Sequence, residues 1–234
     1  MIFAFSFTHP PDQALSDLMC KTLIKYSVPH LANIRVVQTG GRQYTAYENG
    51  AGWQASMMKL NELAYICESF NVRPDDYILS VDSDVVFTSP AVFEHIDGAY
   101  GLIGVQHQQP YNTALGSFGH MSGALIFIRG DIAHRMANLT DDELGKIRQE
   151  HFRKFNLTEN EDIVLSYLAK LCGANELDLN SVKYLTNGDF EGDIVRSTMK
   201  SFYHLNFNPK TFLSEPCGKK QNIPNILELK GIEL

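Results

Sequence analysis

Asp82-Ser83-Asp84 is the group of residues in this chain best placed to do chemistry. It follows Asp76-Tyr77-Ile78-Leu79-Ser80-Val81, in which Tyr77 to Val81 is β-prone and largely apolar and too short for a free-standing helix. If the strand continues through Asp84 towards Val85-Val86-Phe87, the two aspartates point to the same side. Carboxylates held that close repel each other unless one takes up a proton or a cation sits between them. A hard divalent ion accepts oxygen ligands from both and leaves room for phosphate oxygens. The structural alternative is a solvated turn, since Asp and Ser are common turn residues. Acids at the carboxyl end of a buried strand, where open α/β sheets bind ligands, favour the ligand site.

Three further groups invite attention. Phe202-Tyr203-His204-Leu205-Asn206-Phe207 sets a histidine among aromatics late in the chain, and the alternative there is a core histidine. Glu161 and Asp162 stand where a helix begins, so capping and favourable interaction with the helix dipole compete with a catalytic role. Lys59 lies on a helix and by position alone is an exposed lysine, while Trp53, the only tryptophan, is expected in the core.

The elements that must position these residues follow from periodicity. Ile2 to Phe7 is a short apolar strand broken at Thr8-His9-Pro10-Pro11-Asp12. A helix of about 15 residues follows, with Leu15, Leu18, Met19, Leu23 and Ile24 at helical spacing. Asn33 to Thr39 is a second strand closed by Gly40-Gly41, and Arg42 to Gly52 reads as a polar loop. Trp53 to Phe70 is helical, with Met57, Leu60, Leu63, Ala64 and Cys67 on one face. This order, ending in the acidic strand, predicts parallel strands with crossover helices. Beyond it come a short helix from Ser89-Pro90 to Ile96, a strand over Tyr100 to Gln106, and a polar, aromatic loop from Gln106 to His120. Long irregular loops in compact domains are commonly functional, and aromatics with amides suit contact with sugar rings. Ser122 to Ile128 is an apolar strand leading through Gly130-Asp131 into a helix to Leu139. Asp141 to Arg153 reads as a charged, solvated helix, and Thr158 to Asp162 caps a helix over Ile163 to Leu171. Val182 to Leu185 is a candidate strand, and the tail from Glu215 carries Pro216, Gly218, Lys219, Lys220 and Pro224.

With 234 residues, 44% apolar and 20% charged, the chain suits one folded domain with a substantial core. A net charge of −7 without a basic cluster argues against a nucleic-acid partner. Cys20, Cys67, Cys172 and Cys217 are widely spaced with no C-x-x-C pair, which fits reduced thiols in a cytoplasmic protein. No apolar run reaches the ~20 residues that span a bilayer, and a secretory signal is not expected from the opening residues.

Three features occur in a fixed order: Lys59-Leu60, a helix and the Asp82-Ser83-Asp84 strand end; the glycine strand Ser122-Gly123-Ala124-Leu125-Ile126-Phe127 followed by Glu161-Asp162; and His204 with Lys210 six positions on. Together they resemble the GT-A glycosyltransferases, most closely the retaining, glycogenin-like glycosyltransferase family 8, over Ile2 to about Lys210. The resemblance implies a GT-A type α/β fold, a Rossmann-like mixed central sheet flanked by helices. It implies a single domain over 1–234, with a donor-binding half over 1–105, an acceptor and catalytic half over 106–210, and a tail over 211–234. The implied activity is hexosyltransferase-like, moving a sugar from a nucleotide-diphosphate sugar, UDP-linked, to a saccharide or other hydroxyl acceptor. By position, Asp82, Asp84 and His204 would hold Mn²⁺ or Mg²⁺ beside the donor diphosphate. Thr8 and His9 would meet the base and ribose, and Ser83, Lys59 and Lys210 the rest of the donor. Glu161 and Asp162 resemble an acidic-polar pair near the transferred sugar. Phe207 replaces the glycine of the family's His-x-x-Gly-x-x-Lys pattern, and Met121 stands where an asparagine is usual.

Breaking the bond from anomeric carbon to phosphate leaves growing negative charge, which a cation and a lysine stabilise. A carboxylate such as Asp162 can steady positive character on the sugar. Spacing alone leaves retention and inversion open, and the resemblance points to retention. Two other functions remain. Asp82-Ser83-Asp84-Val85-Val86 also resembles the first motif of haloacid dehalogenase-type phosphatases, with Asp82 as nucleophile and Gly188-Asp189-Phe190-Glu191-Gly192-Asp193 as a late acidic motif. In that family, however, the nucleophile strand normally comes first. Phe207 and Met121 also permit a non-catalytic nucleotide-sugar-binding domain.

Overall fold

The computed structural model describes residues 1–8, 13–39, 51–83, 85–87, 90–106, 111–181 and 202–204. His9, Asp84, Phe207 and Lys210, the expected strand at 182–185, the late acidic motif at 188–193 and the tail lie outside the described residues.

The chain opens with β1 (Ile2–Thr8), α1 (Gln13–Ser27), β2 (Leu31–Gln38), α2 (Ala51–Ser69) and β3 (Tyr77–Val81). As the crossover pattern predicts, β1 pairs in parallel with both β2 and β3. β3 is buried along its whole length, as befits a near-continuous apolar strand covered on both faces. Side chains alternate between two cores. Ile2, Ala4, Leu79 and Val81 meet Met19 and Leu23 of α1. Phe3, Phe5 and Ile78 meet Leu60, Leu63, Ile66 and Cys67 of α2. α2 begins at Ala51, so Ala51 and Gly52, expected in the preceding loop, are already helical.

β4 (Val85–Phe87) comes next, then a 3₁₀ turn over Pro90–His95 and β5 (Leu102–Gln106). β6 (Tyr111–Thr113) and β7 (Gly116–Phe118) form a hairpin where an irregular loop is expected, with Gly116 at φ +86°. β8 (Met121–Arg129) crosses the sheet and leads into α3 (Gly130–Ala137). α4 (Asp141–Ile147) starts in a capping box between Thr140 and Glu143 and runs into a π turn over Arg148–Arg153. The charged segment is not wholly solvated, because Leu144 and Phe152 are buried. α5 (Glu161–Leu171), β9 (Glu176–Asp178) and β10 (Phe202–His204) complete the described elements.

The main sheet has the order β2-β1-β3-β8-β5-β9. β8 runs antiparallel to β3 and β5, and β9 runs parallel to β5. The sheet is therefore mixed, with β3 and β8 at its centre and helices on both faces. One expectation changes. The acidic segment is not a continuous strand, because β3 ends at Val81 and β4 leaves the main sheet to pair with β10.

Candidate functional site

Asp82 is the first residue past the carboxyl end of β3. Its N–H donates to the Ala124 carbonyl of β8 at 2.9 Å, and its own carbonyl accepts from Val85 N–H at 3.2 Å. The second bond ties Asp82 to the start of β4, and Asp82 and Ser83 lie outside both strands. Ser83 is a half-buried turn residue.

Along β3, Ile78 belongs to the core beneath α2. Period-two alternation brings Ser80 and then Asp82 to the same face. Lys59, two turns into α2, meets Asp82 there, with Nζ 3.6 Å from Oδ1, and makes a closer ion pair with Glu161. Lys59 is only 5% exposed, so the expectation of a surface lysine is corrected. Burial works against its charge, but Glu161, Asp82 and Asp162 outweigh that and raise its pKa above the ordinary lysine value. Those partners come from β3 and α5, far from Lys59 in sequence.

Glu161 and Asp162 form the first turn of α5, where the helix dipole favours negative charge. Asn160 caps the helix by accepting from Glu161 N–H at 2.9 Å, so capping falls to this residue and leaves both carboxylates for other contacts. Gly123 of β8 lies directly against the pair: a Cβ there would sit 3.3 Å from Asp162 Cβ and 3.3 Å from Glu161 Oε1. The approach to α5 is fixed by Glu159, whose carboxylate accepts from Arg148 Nε at 2.8 Å and lies 3.5 Å from Arg153 Nε. A methyl at Gly52 would overlap the carbonyl oxygen of Glu159. The first turn of α2 is thus in backbone contact with the Glu159–Asn160 segment that leads into α5, and that contact sets Lys59 against Glu161.

His120 also belongs to the site, although no motif in the sequence marks it. It is 6% exposed, with Nε2 3.8 Å from Asp162 Oδ2 and its ring 5.6 Å from the Tyr111 ring of β6. The signal available was its place at the end of the polar loop, three residues before Gly123. Trp53 is buried at 5.6 Å edge-on to Phe152 with the Arg148 guanidinium 5.0 Å over its ring, the core role expected of it.

The remaining donor-side residues are less closely gathered. Thr8 is fully buried at the carboxyl end of β1, and its carbonyl accepts from Thr39 N–H at 2.9 Å and Thr39 Oγ1 at 3.1 Å. His204 lies in β10, in antiparallel register with Val85, the residue after Asp84. Among the described residues no group of three His, Cys, Asp or Glu side chains could hold a metal ion. The donors that fit a divalent ion are oxygen and imidazole groups: Asp82, whose side chain is 38% exposed at the strand end, and His204, which backbone pairing brings to the segment carrying Asp84. No described helix is long and apolar enough to cross a membrane.

No protein-family model matches the chain, and no curated protein matches it in sequence. Solved structures do. An active-site mutant of LgtC superposes with a TM-score of 0.52 at 12% identity, over 97% of this chain and 95% of that one. A glycosyltransferase involved in the glycosylation of the major capsid of PBCV-1 gives 0.45 at 14% identity, over 76% and 80% of the two chains. Mouse xyloside xylosyltransferase 1, in its apo form, gives 0.46 at 10% identity, over 88% and 98%. The mixed six-stranded sheet flanked by helices is the GT-A fold of glycosyltransferases.

Proposed function

We propose that this chain transfers a sugar from a UDP-linked donor to a hydroxyl acceptor, with retention at the anomeric carbon. One observation carries the proposal: Lys59, Asp82, Glu161 and Asp162 converge from α2, β3 and α5 at the carboxyl edge of the central sheet. A lone acid after a strand would be a turn, whereas a buried lysine shared between acids from two other elements is a built polar site.

In the proposed arrangement, Thr8 and His9 flank the base and ribose at the end of β1, and Ser83 and Lys210 meet the diphosphate. Asp82, Asp84 and His204 would hold Mn²⁺ or Mg²⁺, which when bound supplies positive charge beside the leaving diphosphate. Lys59 adds a second, protein-borne cation at the same place, held charged by its acidic neighbours. The bond from the anomeric carbon to the phosphate oxygen breaks and a bond to the acceptor oxygen forms. The acceptor's proton leaves with the departing diphosphate. Asp162 steadies the developing positive charge on the sugar, and Glu161 locks Lys59 in place. With β3 the third strand of the chain, strand order counts against the phosphatase alternative, whose nucleophile strand normally comes first.

The test is a panel of UDP-sugars with Mn²⁺, with and without simple saccharide acceptors, read as UDP release. Metal-dependent release that is lost in Asp82→Asn is expected. Steady hydrolysis of an aryl phosphate without UDP release would favour the phosphatase. Tight UDP binding with no release from any donor would favour the non-catalytic domain.

A further inference from the structure

Two adjacent carboxylates at a helix start repel each other, and here each meets a basic side chain from a different element. Lys59 of α2 takes Glu161, and His120, which immediately precedes β8, stands beside Asp162. The imidazole is 6% exposed, too buried to be a solvated surface group, and its backbone is anchored to α5. Met121 N–H donates to Ser166 Oγ at 3.0 Å, and Ser166 lies one turn beyond Asp162 on the same helix face. Gly123 then lets β8 pass against Asp162 Cβ. Against the imidazole lie the Asp162 carboxylate of α5 and the Tyr111 ring of β6, and next to Asp162 stands Glu161, paired with Lys59 of α2.

We propose that His120 is a positioning residue of the site, holding the Asp162 carboxylate fixed in direction while Lys59 does the same for Glu161. The proposal rests on the reading of Asp162 as the group nearest the transferred sugar. It explains why a buried histidine occupies the end of a polar loop: the loop's hairpin delivers it to α5. At 3.8 Å the pair is an electrostatic contact, longer than a hydrogen bond. Acting only through Asp162, His120 should contribute to turnover and leave donor affinity alone.

Two measurements test this, one of them independent of any activity. In the first, the imidazole of His120 is followed by NMR against pH in wild type and in Asp162→Asn. A carboxylate partner stabilises the imidazolium, so its titration midpoint should fall by about one pH unit when Asp162 is neutralised. A midpoint unchanged by that substitution overturns the pairing, whatever reaction the protein catalyses. The second is a double-mutant cycle on UDP-sugar turnover. His120→Ala should lower kcat roughly tenfold with the donor KM unchanged. His120→Gln, which keeps an N–H donor, should recover part of the loss, and in the Asp162→Asn background His120→Ala should cost almost nothing further. Equal losses in both backgrounds, or a rise in KM without a fall in kcat, overturn the positioning role. If the NMR pairing holds while no UDP-sugar is turned over, the pairing stands and the glycosyltransferase reading is what fails.

Discussion

Replacing Lys59 by methionine keeps an unbranched stem in a buried slot and deletes the charge. At an effective dielectric of about 20, charges 3.6 Å apart, as Lys59 and Asp82 are, attract by about 4–5 kcal/mol before desolvation is counted. Two corrections reduce that. The side chains of Asp82 and Glu161 are 38% and 28% exposed, so water screens both. Methionine also avoids the cost of burying an ammonium group. Against these, Asp82, Glu161 and Asp162 are left facing one another with their shared cation gone, and removing one partner of a buried pair is the costly case. The net expectation is a loss of ~1–3 kcal/mol. For a chain of this size that lowers the thermal midpoint by roughly 3–10 °C, measured by calorimetry near neutral pH. Because the pKa of Lys59 is raised, its contribution is complete below the unfolded lysine value and fades only as pH climbs through the folded one. The loss should therefore be constant across the neutral range. Adding Glu161→Gln to Lys59→Met should recover part of it, since the stranded carboxylate is then neutral. A Lys59→Met midpoint within ~1 °C of wild type, or strict additivity with Glu161→Gln, would refute the ion-pair account.

Gly52→Ala should destabilise by ~1–3 kcal/mol in urea titration despite alanine's better helix propensity, because the methyl overlaps the Glu159 carbonyl. A stabilised variant would show that α2 and the Glu159–Asn160 segment do not meet there. Burial of Asp76 favours its neutral acid, but Arg73, the N-terminal amine and the Arg73 backbone N–H outweigh it and hold the carboxyl well below the usual range. That stabilisation is present above the unfolded pKa of about 4 and disappears as pH falls through the folded value. Between pH 5 and 2, roughly, wild type should thus lose urea resistance faster than Asp76→Asn, and parallel curves would contradict the assignment. Glu159→Gln should weaken the double arginine clamp ahead of α5 and lower UDP-sugar turnover more than it lowers the thermal midpoint. A variant with full turnover and a lowered midpoint would confine Glu159 to stability.

Local periodicity made most elements legible, and non-local pairing hid the rest. Leu15, Met19 and Leu23 on α1, and Leu60, Leu63 and Cys67 on α2, are buried as their spacing predicts. Ile24, at the edge of the same stripe, is 48% exposed because α1 is covered by the sheet on one side only. The apolar run of β8 was evident, but nothing in such a run encodes its direction. Its antiparallel pairing with β3 and β5 depends on how the chain returns after the β6–β7 hairpin. β9, three residues with one apolar side chain, is too short to show periodicity. At the site, Asp82 was legible because composition and strand end coincide. The burial of Lys59 and the placement of His120 were not, since each is defined by a partner about a hundred or about forty residues away in sequence, beyond any local pattern. The turn at Asp82 was hidden for a related reason: a bond from Val85 N–H ends the strand where alternation would have carried it on.

The central claim is that the carboxyl tip of β3 holds a divalent ion beside the diphosphate of a sugar donor. Crystals soaked with Mn²⁺ and UDP, measured for anomalous scattering at the manganese edge, test it most directly. The account predicts one strong peak bound by oxygens of Asp82 and Asp84, a nitrogen of His204 and the UDP diphosphate. A nucleotide seated elsewhere, or a manganese peak that touches neither aspartate, would contradict it.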